Sequence, residues 1–226
     1  DPKRYIQKKD LIETFENPTP EHDAWKKAVI ESELNPKAVS KNPIAVILMG
    51  SPASGKTTTG RPFAEKILNG KETTKIDPDS VKGKSKGFEG WNAGAFHEES
   101  ALISEKVVFP RAVVNNHNLL IDITGKNSNK VAEMARTLKS VGYTIGLVHV
   151  DVDDKVALTR ASQRFNKPKG RYVPYDYIKG SAEQARQTWN KLTSEGIADI
   201  GYSLDGNADR SKGTAPVKAT HGNLFD

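Results

Sequence analysis

Apolar residues recur along this chain in two alternating rhythms. Short continuous apolar runs, of the kind buried parallel strands show, are followed by stretches where apolar positions return every three or four residues. The first run is Pro43-Ile44-Ala45-Val46-Ile47-Leu48-Met49. Beyond it, Phe63, Ala64, Ile67 and Leu68 share one helical face within Thr57 to Asn69, and Gly70 stands where that helix would stop. Thr73 to Asp77 reads as a second strand, and a helix is expected over Ala95 to Asn115, bent near Pro110. Asn118 to Asp122 is a third strand. Val131, Met134, Ala135 and Leu138 mark a helix ending near Gly142.

Thr144 to Val152 follows as a fourth strand, and Asp153 or Asp154 can cap the helix after it. Pro174 is expected to open a helix carrying Ile178, Ala182, Ala185, Trp189 and Leu192, and Asp199 to Leu204 is the last strand. Strands alternating with helices predict an α/β protein of three layers, α/β/α, with a mostly parallel sheet. Residues 1–42 read as a polar helical extension, in which Ala24, Trp25, Ala28 and Val29 keep helical spacing. Residues 43–205 form the main domain, and 206–226 a polar tail expected to be loosely ordered.

One segment turns this pattern into chemistry. Between the first strand and its helix stands Gly50-Ser51-Pro52-Ala53-Ser54-Gly55-Lys56-Thr57, the phosphate-loop (P-loop, or Walker A) pattern, followed by Thr58. Such a loop wraps a phosphate with inward-pointing backbone N–H groups, and Gly50 and Gly55 tolerate the close approach. Lys56 can reach the β- and γ-phosphates, while the Thr57 hydroxyl can ligate Mg²⁺ at the helix N-terminus. A chance match in a Gly-rich turn is the competing reading. The strand before and the helix after argue against it.

Composition narrows the partners. The 226 residues carry 34 Lys and Arg against 28 Asp and Glu, a net charge of +6, and mean hydropathy is −0.60. The positive balance favours polyanions: nucleotides, sugar nucleotides or, less favoured, nucleic acid. Basic residues crowd Lys82 to Lys86 and Arg160 to Arg171 without the aromatic interleaving of a nucleic-acid surface. No apolar run approaches the ~20 residues of a membrane span, and no secretory leader opens the chain. The expected site of action is therefore cytoplasmic, with delivery into another cell left open. The first residue is not Met, which suggests an excised or processed segment. With zero cysteines, disulfides and thiolate metal sites are excluded.

Parallel α/β sheets bind ligands at the carboxyl ends of their strands, where Asp77, Asp79, Asp122, Thr124, Asp151 and Asp153 are expected. Asp122 has the form of the acid that holds Mg²⁺ opposite Thr57, or else caps the turn after it. Asp79 is the preferred general base for an alcohol acceptor; Asp77 could serve instead or orient it, and Asp79 could simply be a helix N-cap. Arg160 and Arg164 share a helical face, and Arg171 follows in a cationic loop. Any of the three could stabilise charge on a transferring phosphoryl group, against the plainer reading of a solvated basic face. His97 beside Glu98 and Glu99 lacks a second histidine at ligand spacing. Gly87-Phe88-Glu89-Gly90-Trp91-Asn92 could stack on an acceptor or be a surface loop.

Taken in order, these motifs resemble the zeta-toxin family of phosphate-loop kinases. The resemblance runs through Gly50 to Thr57, Ile76-Asp77-Pro78-Asp79, Asn118 to Thr124, Val141-Gly142-Tyr143, Arg160 to Arg164 and Gly170 to Pro174. It implies transfer from ATP or GTP, with Mg²⁺, to a hydroxyl of a small metabolite, UDP-N-acetylglucosamine being the best-known acceptor. By matching position, Asp79 would be the base, Lys56 and Thr57 the phosphate and magnesium residues, and Arg164 and Arg171 the charge stabilisers. It also implies an antitoxin partner, or an inhibitory role in cis for residues 1–42. Two departures fall on the acceptor side: Ser80 to Gly90 lacks the family's His-Pro pair, and Asp122 stands where glutamate is common. The competing functions are a polynucleotide 5′-hydroxyl kinase or nucleic-acid-dependent ATPase, and, last, a nucleotide-controlled interaction module.

Overall fold

A computed structural model describes residues 18–168, 170–208 and 215–223. The first half of the expected helical extension, 1–17, and the tail segments 209–214 and 224–226 lie outside the described residues. Helix α1 (Pro20–Glu33) opens with Pro20 in its first turn, and the Thr19 hydroxyl accepts from His22 N at 3.2 Å. The chain then runs through β1 (Ile44–Gly50), a wide turn at Lys56–Gly60, α2 (Arg61–Leu68), β2 (Thr74–Ile76) and α3 (Pro78–Gly83). Next come α4 (His97–Ala101), a second wide-turned stretch over Leu102–Val108, and α5 (Phe109–Val114). After β3 (Leu119–Ile123) follow α6 (Ser128–Ser140), β4 (Thr144–Asp151), α7 (Asp154–Phe165), α8 (Tyr175–Ile178), α9 (Ser181–Ser194), β5 (Ile200–Asp205) and β6 (Val217–His221).

The six strands form one sheet in the order β2-β3-β1-β4-β5-β6, parallel except for β6. Strand β1 lies between β3 and β4 and is buried along its whole length. Its alternate residues serve two cores, as period-two side chains must. Ala45, Ile47 and Met49 join α6, α9 and the 103–112 segment on one face; Ile44, Val46 and Leu48 meet Phe63, Ala64 and Leu68 of α2 on the other. Each fully buried Ile or Leu here contributes about 1.5–3 kcal/mol of hydrophobic stabilisation. The α/β fold and its helical extension are thus as the sequence pattern indicates.

Helix α1 is built into the first core through Val29 and Ile30, so the segment before β1 is part of the packed body. Three details differ from the expected pattern. The helix expected over Ala95–Asn115 changes geometry before its proline: a wide-turned stretch occupies Leu102–Val108, Phe109 N donates to Ser104 O at its end, and Pro110 follows in the first turn of α5. The helix expected from Pro174 is two helices, because Gly180 adopts φ +74 between them. The tail, expected to be loose, returns as β6, which pairs antiparallel with β5 and shields that edge. No helix among the described residues is long and apolar enough to cross a membrane.

Candidate active site

The phosphate loop begins where β1 ends. A side chain at Gly50 would put its Cβ 2.7 Å from Ser54 Oγ and 2.8 Å from Val150 O, so only glycine lets the loop fold back on itself. Gly55 takes φ +103 and turns the chain into the following helix, whose first turn is widened by a Gly60 N–H to Gly55 O bond of 3.4 Å. Ser51 Oγ and Ser181 Oγ are 2.8 Å apart, which ties the loop to the start of α9. Ala53 sits at φ +59, and Ser54 Oγ is buried without a hydrogen-bond partner. A closed cradle with an orphaned hydroxyl fits a phosphate. Thr57 and Thr58 are exposed in the first turn beyond it, and Thr58 Oγ1 donates to Gly55 O at 3.4 Å.

Lys56 lies across the cradle, donating to Gly50 O at 3.1 Å and standing 3.6 Å from Asp122 Oδ1. Asp122, at the carboxyl end of β3, is pushed above the usual carboxylate range, chiefly by burial, which Lys56 partly offsets. A buried carboxylate short of positive charge, facing Thr57 across the cavity, suits a divalent cation. The donor set Thr57 and Asp122 therefore fits Mg²⁺. Among the described residues no group of three or more His, Cys, Asp and Glu could hold a metal, so His97 with Glu98 and Glu99 does not make one.

Beside the loop opens a cavity of about 630 Å³. Ala53, Lys56 and Thr57 form its donor wall; Asp77, Asp79, Asp122, Thr124, Arg164 and Arg171 also line it. Asp77 caps α3, its Oδ1 accepting from Asp79 N at 2.9 Å, while its other oxygen meets Lys75 Nζ at 2.8 Å. The N-cap is thus Asp77, not Asp79. That leaves the Asp79 carboxylate facing outward, where Arg171 pairs with Oδ2 and Lys82 with Oδ1 at 3.1 Å. Burial lowers the Arg171 guanidinium from its usual value, and Asp77 acts in the opposite direction.

Of the three candidate arginines, Arg164 and Arg171 reach the cavity and Arg160 does not. Arg164 lines it, whereas Arg160 donates to Ser54 O at 3.2 Å and Gly206 O at 2.6 Å and braces the loop from behind. The Gly87–Asn92 segment stands outside the lining. Asn92 folds it, accepting from Glu89 N and donating to Gly87 O, both at 2.9 Å. The sequence pattern missed Lys106, Lys126, Lys130 and Tyr177, which also line the cavity. Lys126 Nζ donates to Tyr177 O and lies 3.8 Å from the Tyr177 ring centroid. The signal that could have found it is the lysine two residues past Thr124, at the same strand end as the acids.

A cradle after β1, a lysine within it and strand-end acids opposite define a phosphate-loop kinase fold. The sequence model of the zeta toxin family matches residues 26–209, and the chain belongs to that family, whose members are phosphotransferases. Among solved structures, a chain of the PezAT chromosomal toxin–antitoxin system of Streptococcus pneumoniae is similar at 19% identity. That match covers 88% of this chain and 81% of that one, with a TM-score of 0.67. The AvrRxo1-ORF1:-ORF2 complex with ATP is similar at 16% identity, over 89% of this chain and 68% of that one, with a TM-score of 0.68. At these identities the likeness is one of fold. A comparison with curated protein sequences returns no match.

Proposed function

We propose that this chain transfers the γ-phosphoryl group of ATP or GTP to a hydroxyl of a small metabolite, UDP-N-acetylglucosamine or another nucleotide-containing molecule. The observation that carries the reading is the single cavity in which Lys56 and Thr57 face Asp79, Arg164 and Arg171. Asp79 positions the acceptor hydroxyl and takes its proton as the new O–P bond forms. The bond from the γ-phosphorus to the bridging oxygen breaks, and the nucleoside diphosphate leaves. Lys56, Arg164 and Arg171 stabilise the charge spread over the transferring group. Mg²⁺, held by Thr57 and Asp122, would neutralise charge between the β- and γ-phosphates. Asp77, engaged as the cap of α3 and by Lys75, acts by aiming Asp79.

ATP as donor is supported by the ATP complex of a structural relative, and an antitoxin partner by the toxin–antitoxin system to which another relative belongs. The test is to incubate the protein with γ-labelled ATP and a metabolite extract and identify the labelled product by mass. A labelled small molecule is expected. Label appearing only on added 5′-hydroxyl oligonucleotide, or only as inorganic phosphate, overturns the proposal.

A further inference from the structure

Lys82 is out of place for a lysine. It lies on α3, a helix of six residues, three positions after Asp79, and its side chain is only 4% exposed. Ion pairs at this spacing are ordinarily solvated surface contacts with little net effect. A buried ammonium is costly unless a carboxylate compensates it, and the group that does so is the carboxylate proposed above as the base. Burial lowers the Lys82 ammonium from its usual value, and Asp77 works against that shift.

The two oxygens of Asp79 have different partners. Oδ1 meets Lys82 from within the same helix, and Oδ2 meets Arg171 from the segment between α7 and α8. Arg171 also faces the cavity where a triphosphate would draw it. Lys82 does not line the cavity and has no such alternative. Its helix is pinned from behind: buried Glu33 of α1 accepts from Ser80 Oγ at 3.0 Å and from Lys84 Nζ at 2.5 Å, and Trp25 Nε1 donates to Lys84 O at 3.0 Å.

We propose that Lys82 is a positioning residue for Asp79: it holds Oδ1 and keeps the carboxylate ionised, leaving Oδ2 to the acceptor hydroxyl once Arg171 turns to the phosphates. This rests on the reading of Asp79 as the base. The charged and titratable groups around the pair are Asp77 with its partner Lys75, Arg171, and His97 of α4, which lies close enough to Lys82 to be held below its usual value by burial and that ammonium. Glu105 and Glu98 act on His97 in the opposite direction.

The experiment measures label transfer from γ-labelled ATP into a fixed metabolite extract across pH, in the whole chain. Lys82→Met keeps the apolar stem and removes the charge. It is expected to lower the maximal rate by about tenfold or more, leave the KM for ATP within about twofold, and move the acid limb of the profile up by about one pH unit. Lys82→Arg keeps the charge and is expected to keep the acid limb where the parent has it. It also serves if the Met variant does not fold. In an Asp79→Asn background, Lys82→Met should cost nothing further, whereas a merely structural role would add its own loss.

Asp79→Asn alone separates the two readings. If it transfers label at the parent rate, the reading of Asp79 fails and this inference with it. If it is inactive while Lys82→Met matches the parent in rate and acid limb, only this inference fails. An acid limb shifted equally by Arg and Met at position 82 also overturns it.

Discussion

The proposed donor and acceptor sides of this cavity are made from different materials. The donor side is backbone: the cradle of Gly50 to Thr57, closed by the 2.8 Å approach that a Gly50 Cβ would have to Val150 O and anchored on the all-buried β1. The acceptor side is side chains from short elements far apart in sequence. Asp79 on α3 meets Arg171, 92 residues on, and Lys126 after β3 meets Tyr177 on α8, 51 residues on. Backbone geometry tolerates little change, which suits the proposed donor side to the triphosphate that all nucleotide donors share. Side-chain pairs exchange partners easily, and an acceptor site built from them can be re-specified without disturbing the fold. Of the two departures expected from the family pattern, the missing His-Pro pair falls on this second side, whereas Asp122 stands 3.6 Å from Lys56 at the cradle itself.

Changing one residue on each side breaks or sustains that contrast most sharply. Asp79→Asn should lower transfer by on the order of 10²–10⁴-fold while nucleotide affinity stays within about twofold, as expected for loss of a general base. Lys56→Met should lose transfer and weaken triphosphate binding together. Single-turnover transfer beside equilibrium nucleotide titration checks both. Equal losses of nucleotide binding in the two variants would mean the sides are not separable.

How much could be read in advance follows the same division. The glycine spacing, the apolar run of β1 and the strand-end acids are local patterns, and the sequence revealed all of them. The proposed base was left between Asp77 and Asp79 because both follow β2; the cap bond from Asp79 N to Asp77 Oδ1 distinguishes their positions only in three dimensions. Arg160 and Arg164 share a helical face, yet one braces Ser54 O and the other lines the cavity, because α7 runs past the loop as well as beside the cleft. Strand β6 was illegible because both its faces are largely exposed, so it carries no apolar alternation. Lys82 looked like bulk positive charge, since burial leaves no mark on a lysine's sequence neighbours.

The framework under the donor loop supplies a pH test. His149, on β4 opposite Met49, is 1% exposed; its Nδ1 lies 2.9 Å from Ser203 Oγ, its ring stacks on Trp189, and its Nε2 has no partner. Burial lowers its pKa to about 4, against the pull of Asp151. Between pH 6.5 and 4 the unfolded chain therefore binds a proton that the folded chain refuses. This stability is present above the unfolded value and is lost as pH falls through that window, by about 3 kcal/mol in all. Burial alone would raise Asp151, but hydrogen bonds from Lys218 and Arg186 and the field of His149 hold it below the usual range. Its own contribution persists until pH drops below the ordinary carboxylate range. Denaturant midpoints at pH 7.5 and 5 should differ in the parent and converge in His149→Gln; a parent midpoint unchanged between them removes the buried neutral imidazole from the account.

The arginine pair gives the next largest effect. Arg164→Ala should reduce the maximal transfer rate by roughly 10–100-fold with little change in the KM for nucleotide, since a cavity-lining guanidinium acts on charge that develops in the transition state. Arg160→Ala removes the two hydrogen bonds that Nη1 donates to Ser54 O and Gly206 O, and should raise the KM for nucleotide about tenfold while sparing the rate at saturation. A rate effect in Arg160→Ala equal to that of Arg164→Ala would return both to one catalytic face.

The smallest effect probes the acceptor wall alone. Lys126 holds α8 by its hydrogen bond to Tyr177 O and by its position 3.8 Å from that ring, and burial lowers it from the usual lysine value, with Asp154 acting against the shift. Lys126→Met keeps most of the apolar contact with the ring and loses the charge and the hydrogen bond, about 1–2 kcal/mol of local anchoring. Because the contacts of Lys126 are with Tyr177 of α8, the loss should appear as a several-fold rise in the KM for the proposed acceptor with the KM for ATP unchanged. A comparable rise in both would mean that α8 couples the two sides, through the bond from Ser181 at the start of α9 back to Ser51 of the loop.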